Sequence, residues 1–312
     1  MRPMRWRKLG LLWRPDGSEP WAYSHAMIPT PLPGADGKLR IYFSTCDREG
    51  RGRPAWMDLD PAQPTRILGI SRTPLLDLGR PGNFDDNGVV VTSVVRIDER
   101  ICLLYYVGFE LCHRIRYRLL TGLAISEDGG LTFRRYRETP ILERSPEELY
   151  FRCGPQVVRD GDGFTMWYVA GSEWTEVQGK QVPVYEMRRL FSPDGIDWPD
   201  AGQPVQIPLA PDEHGFGRPW VVRHGNNEHE LFFSVRRRSL GAYRLGYATS
   251  TDSSHWQRAD DLLGLDVSAD GWDAQAVAYS AIVECAGHTY CFYNGNEFGG
   301  SGFGCAVRES DV

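Results

Sequence analysis

Apolar runs of strand length alternate with short polar turns along the whole chain, and one landmark keeps returning: a pair of adjacent aromatic residues. The pairs are Tyr42-Phe43, Tyr105-Tyr106, Trp167-Tyr168, Phe232-Phe233 and Phe292-Tyr293, at intervals of 63, 62, 65 and 60 residues. A unit of that length holds about four short strands with their turns. The period predicts an all-β fold, a five-bladed β-propeller with four-stranded antiparallel blades, formed by residues 1–312 as a single domain.

Each unit opens with an apolar run predicted as its first strand, at 26–32, 89–97, 155–159, 219–223 and 278–284. Turns rich in Gly, Asp and Asn follow, among them Asp160-Gly161-Asp162-Gly163 and His224-Gly225-Asn226-Asn227. Such turns supply the positive-φ positions that hairpins need, and the aromatic pair falls on the second strand.

A second repeat runs in phase with the first. Ser126-Glu127-Asp128-Gly129 precedes Phe133, Ser192-Pro193-Asp194-Gly195 precedes Trp198, and Ser250-Thr251-Asp252-Ser253 precedes Trp256. The short polar side chains bond their own turn, and the following aromatic anchors an outer strand. Segment 6–13 has no repeat of its own, and the last unit ends after one further strand at 303–308. The N-terminal segment is therefore expected to supply the missing outer strand of the last blade, closing the ring without a free sheet edge. A loose N-terminal arm is the alternative.

Composition narrows the function classes. A net charge of −6 with no dominant basic stripe argues against a nucleic-acid partner. Seven cysteines without CxxC spacing give no metal signature, and their odd number suggests a reducing compartment. The apolar stretch near the N-terminus is too short for a signal peptide, and no run approaches a membrane span. A cytoplasmic protein without a membrane partner is expected, with no cofactor and no metal, while the oligomeric state stays open. The Gly-rich tail 299–304 does not join a strand to a helix, which makes it a weak match to a dinucleotide site.

In an antiparallel hairpin the start of strand one and the end of strand two lie at the same edge. If the first strands line a channel, one rim collects His25, Asp85, Asp86, Arg152, Arg218 and Tyr279 from strand starts. The same rim receives Asp47, Arg48, Glu110, Glu173, Trp174, Arg236, Asn296 and Glu297 from strand ends. This polar set suits a hydroxyl-rich ligand, with acids available for proton transfer. Taken singly, Asp85 and Asp86 also read as turn residues, Glu110 and Glu173 as solvated rim charges, and Cys153 as a packed thiol.

The architecture resembles the five-bladed propeller glycosidases, a group that includes arabinanases, xylosidases, invertase-like and mannoside-phosphorylase-like enzymes. That resemblance implies a base or nucleophile Asp on the first blade, a tuning Asp on the second and an acid Glu on the third. Asp86, or Asp85 beside it, matches the second. Cys153 in Arg152-Cys153-Gly154-Pro155 occupies the place of the acid, and Ser24-His25-Ala26-Met27-Ile28-Pro29 carries no Asp. Segments such as His25-Ala26-Met27-Ile28-Pro29 and Tyr293-Asn294-Gly295-Asn296-Glu297-Phe298-Gly299 are similar to the glycosidase-like propellers encoded with bacterial polysaccharide and sugar-modifying genes.

A carbohydrate-active enzyme is therefore expected, glycoside hydrolase-like, with Asp86 and Glu173 as the catalytic pair. His25 serves as a proton-transfer partner, and Glu110 and Glu297 are the further acids. Asp47, Arg48, Asp85, Arg152, Arg218, Arg236, Trp174, Tyr279 and Asn296 would bind substrate. The arginines point to an anionic small-molecule ligand: an acidic sugar, a sugar phosphate or a nucleotide-linked sugar. Two alternatives stay open, a sugar-binding propeller without catalysis and a lyase or dehydratase of a sugar or nucleoside.

Overall fold

In the computed structural model, residues 3–225 and 227–309 are described, so Asn226 of the predicted turn lies outside the described residues. The strands are β1 (Trp6–Trp13), β2 (Ser24–Pro33), β3 (Leu39–Cys46), β4 (Gly52–Asp60) and β5 (Gln63–Ile70). Next come β6 (Val89–Arg96), β7 (Cys102–Leu111), β8 (Tyr117–Ser126) and β9 (Arg134–Arg135), then β10 (Phe151–Asp160), β11 (Gly163–Val177), β12 (Lys180–Ser192) and β13 (Gln203–Pro204). They are followed by β14 (Glu213–Arg223), β15 (His229–Arg237), β16 (Tyr243–Ser250) and β17 (Gln257–Arg258), and by β18 (Ala278–Cys285), β19 (His288–Asn294) and β20 (Phe303–Arg308).

Consecutive strands pair antiparallel in groups: β2–β5, β6–β9, β10–β13, β14–β17 and β18–β20. The last group takes β1 as its outer strand, Trp6 opposite Arg308 and Trp13 opposite Phe303. Short parallel contacts, β8 with β10 and β12 with β14, link the middle groups into one continuous sheet.

The aromatic pairs explain how the groups stack. Successive residues of a strand face opposite sides of the sheet, so one ring of each pair packs forward and the other backward. Tyr42 joins the core shared with β6–β8, whereas Phe43 joins the core shared with β19 and β20. Tyr105 packs forward against β10–β12 and Tyr106 backward; Trp167 and Tyr168 repeat this, as do Phe232 and Phe233. In the last pair Phe292 packs onto the β3 core and Tyr293 onto that of β15 and β16. The ring of Tyr106 lies over Gly122 on the neighbouring strand and that of Phe233 over Gly246, where any Cβ would collide with it.

The inner strands are tied by one repeated bond. A side-chain oxygen in each group accepts a backbone N–H of the next group: Ser44 from Val91 (3.0 Å), Ser93 from Val157 (3.0 Å) and Gln156 from Val221 (2.6 Å). Ser234 accepts from Tyr279 (2.7 Å), and Asn294 accepts from Ile28 (2.7 Å), joining last group to first. These satisfy donors that would otherwise be orphaned where the sheets diverge.

Beneath the outer strands, buried carboxylates brace the second ring of a pair. Asp85 accepts from the Tyr106 hydroxyl and Arg135, Glu148 from the Tyr168 hydroxyl, and Asp273 from the Tyr293 hydroxyl and Lys8. The Ser-x-Asp turns form as their chemistry demands: Ser126 accepts from the Gly130 N–H while Asp128 accepts from Leu131 and Thr132.

Candidate functional site

A chamber of about 870 Å³ opens where the starts of the inner strands meet the ends of the second strands. Its wall is built by backbone irregularity. The inner strands bulge there, with register shifts at Met27/Thr30, Cys153/Gln156, Gly217/Trp220 and Ala278/Ala281. At these points Ile28, Gly154, Arg218 and Tyr279 take positive φ, 55°, 61°, 35° and 56°. Among the described residues, six of the ten non-glycine positions with positive φ line this chamber: His25, Ile28, Gln178, Arg218, Tyr279 and Phe298. Each costs about 1–3 kcal/mol, and such strain persists only where the surrounding structure enforces it; it clusters at functional sites.

The hairpin of β11 and β12 is the longest, and its tip, Val177 to Val182, forms one wall. Gln178 at that tip donates to the Arg238 carbonyl (3.2 Å), fastening it to the end of β15.

Arg236 is the central charge. Its guanidinium lies 4.7 Å from the Tyr243 ring, 5.4 Å from Phe298 and 6.0 Å from Tyr185, with no carboxylate partner among the described residues. Tyr243 also packs edge-on against Phe298 and tilted against Tyr279. Burial pushes the Tyr185 and Tyr279 hydroxyls well above their ordinary pKa, so both stay protonated at neutral pH.

Arg218 forms the floor and is 2% exposed. It donates to the carbonyls of Pro29 and Tyr279 (2.8 Å each), to the Thr30 hydroxyl (2.8 Å) and to the Thr92 carbonyl (3.5 Å). Burial pulls its pKa down to about 9, which leaves it charged at neutral pH. His25 has Nδ1 3.0 Å from the Ser24 hydroxyl, and its pKa is lowered by burial against the opposing pull of Glu297. His214 is lowered by burial and by Arg236. Arg116 and Lys180 add positive charge to the wall, and among the described residues no Asp or Glu lines it.

The structure thus gathers His25, Arg218, Arg236 and Tyr279 from the expected set, and leaves the acids elsewhere. Asp86 accepts from the Gly82 N–H (2.8 Å) in its own loop, and Asn87 reaches the wall instead. Glu173 is exposed on the outstretched part of β11, because the strand runs on to Val177 rather than ending at the rim. Glu110 pairs with Arg118 (2.8 Å), and Glu297 is exposed beside His25.

Several expected ligand-binding residues make their contacts away from the chamber wall. Asp85 is the fully buried brace of Tyr106. Arg152 pairs with buried Glu148 (2.5 Å). Burial works against the Asp47 carboxylate, but bonds from Arg53 and Arg51 outweigh it and hold the pKa at about 2. Arg48 lies over the Tyr23 ring (4.9 Å), Trp174 packs on Tyr117 and Phe151, and Asn296 accepts the Gln275 and Ala276 N–H groups. Cys153 lines the chamber, with its thiol pushed up by burial.

Sequence reading missed Tyr117, Tyr185 and Tyr243. All three lie on third strands, and Tyr117 and Tyr243 open theirs. A third strand starts across the turn from the end of the second, hence at the same rim; that was the available signal. Among the described residues no group of three His, Cys, Asp or Glu is placed to hold a metal, and no helix is long and apolar enough to cross a membrane.

No model of a known protein family matches the chain. It is 34% identical over 311 residues to the uncharacterized protein Rv1502 of Mycobacterium tuberculosis, covering 98% of this chain and 100% of that one. Among solved structures, a glycoside hydrolase superposes with a TM-score of 0.75 at 18% identity, over 100% of this chain and 93% of that one. A thermostable family-43 glycoside hydrolase gives 0.68 at 12% identity, over 93% and 91%.

Proposed function

The chain belongs to the same family as Rv1502 and has the fold of glycoside hydrolase propellers, and from that premise we propose that its chamber binds an anionic carbohydrate. One observation carries this: the wall combines cationic side chains with aromatic rings and, among the described residues, holds no carboxylate. Guanidinium forks bind carboxylate or phosphate, and aromatic faces take the apolar side of a sugar ring. Arg236 is the anchor, since no carboxylate among the described residues neutralises it.

The same wall argues against hydrolysis by Asp86 and Glu173. Glycosidases need two carboxyl groups facing the bond, about 5–10 Å apart. Neither of these side chains faces the chamber.

The ligand sits, on this proposal, at the mouth of a single five-bladed ring closed by β1. The five inner-strand bonds, ending with Asn294 to Ile28, and the five shared cores support that closure. A cytoplasmic location belongs to the same proposal, supported by seven unpaired cysteines.

Calorimetric titration tests the ligand class. Galacturonate, glucuronate and sugar phosphates should bind wild type more tightly than their neutral counterparts. Arg236→Gln should weaken the acidic ligand about tenfold or more, the worth of a charge-assisted bond, and leave a neutral sugar unchanged. Equal affinity for charged and neutral sugars sinks the proposal.

A further inference from the structure

The sign of the charge in the chamber discriminates between reactions. Glycosidic hydrolysis passes through an oxocarbenium-like state, which is positive and depends on carboxylates for stabilisation. A wall carrying Arg116, Lys180, Arg218 and Arg236 without an acid among the described residues opposes that state. Loss of a proton from the carbon beside a carboxylate develops negative charge instead, and fixed cations stabilise it.

The remaining parts of such a reaction stand on the same wall. His25 presents Nε2 without a partner among the described residues, while Nδ1 is taken up by the Ser24 hydroxyl (3.0 Å). Its backbone is held at φ 59°, which sets the direction in which its Cα–Cβ bond leaves the strand. Glu297, exposed beside it, favours the imidazolium once a proton arrives. Phe298, next in the chain, packs 5.4 Å from the Arg236 guanidinium, which places base and anchor on adjoining parts of the chamber. Tyr243 lies beside Arg236 and Tyr279 packs on Tyr243, which brings two phenol side chains to the same part of the chamber.

We infer that the chamber catalyses β-elimination on a uronate glycoside, with Arg236 holding the carboxylate, His25 as base and Tyr243 or Tyr279 as acid. This rests on the anionic-carbohydrate assignment above and adds the substrate class and the reaction. His25 Nε2 takes the proton on C5, and the C5–H electron pair becomes the C4=C5 double bond. The C4–O bond breaks, and its oxygen leaves with the tyrosine proton. His25 returns its proton to solvent and the tyrosine recovers one, so neither water nor an oxidant is consumed.

The test uses the full chain with trigalacturonide and a glucuronate disaccharide. Binding is followed by calorimetry, C5 proton exchange by NMR in deuterium oxide, and product by mass spectrometry and the absorbance of the conjugated double bond. Wild type should form the unsaturated product. His25→Asn, a residue that accepts positive φ, should bind as before and lose about a hundredfold or more in kcat. Arg236→Gln should lose affinity as well as rate.

Binding without exchange or unsaturated product overturns elimination and leaves a binding chamber. A free reducing end without unsaturation overturns it in favour of hydrolysis. Unsaturated product at the wild-type rate from His25→Asn removes His25 from the mechanism. Failure to bind either acidic probe brings down the anionic-ligand assignment and the reaction together.

Discussion

Arg218 shows why a charged residue deep in a protein need not be catalytic. Its guanidinium has no carboxylate partner among the described residues, yet oxygens contributed by Pro29, Thr30, Thr92 and Tyr279 surround it, drawn from three other groups of strands. Removing it would relieve the cost of a buried charge but strand those acceptors, at about 1–3 kcal/mol each. The stranded oxygens outweigh the relief. Arg218→Met should therefore lose about 3 kcal/mol or more in urea unfolding. Arg236→Gln, whose guanidinium is surrounded by rings, should change stability far less. A stable Arg218→Met protein would mean the inner strands do not depend on this contact.

At the scale of elements, the repeat was legible because packing enforces it. Each aromatic pair must fill two interfaces at once, so Tyr105 and Tyr106, or Phe292 and Tyr293, cannot drift without opening a core on one side. The rim was legible in part: the hairpin rule brought His25, Arg218, Arg236 and Tyr279 together. It misjudged the acids because turn carboxylates and ligand carboxylates look alike in sequence; Asp85 braces Tyr106 and Asp86 serves its own loop. It also missed how far β11 and β12 extend, since nothing in the local pattern marks the end of a strand that leaves the sheet. The extension gives a prediction at this scale. Replacing Thr175–Val182 by a two-residue turn removes a chamber wall but no buried core pair apart from Val177, which is 8% exposed. The shortened protein should keep its thermal transition within a few degrees and lose affinity for the acidic sugar about tenfold. Unchanged affinity would show that the ligand does not touch this wall.

For the whole molecule, acid stability separates two sets of groups by the pH at which each begins to titrate, although all of them have pKa values lowered by folding. His214 and His229 both have pKa values lowered from 6.5, chiefly by burial and then by the charges of Arg236 and Arg223. The unfolded chain therefore binds protons at these sites before the folded protein does, and their contribution is complete above 6.5 and lost as pH falls below it. Asp47 and Asp128 are lowered as well but by a different cause: burial works against them, and hydrogen bonds win and hold both near 2, below the ordinary 3.8. Their contribution is complete above 3.8 and disappears only toward pH 2. Urea midpoints should thus fall in two stages on acidification, the first setting in as pH falls through about 6.5 and the second below about pH 4. In the double variant His214→Gln, His229→Gln the first stage should shrink to the part carried by His25, whose pKa is also lowered by burial, while the second persists. A first stage untouched by that variant would assign it to His25 or to carboxylates elsewhere, and a single cooperative acid transition near pH 3 would contradict the histidine linkage altogether.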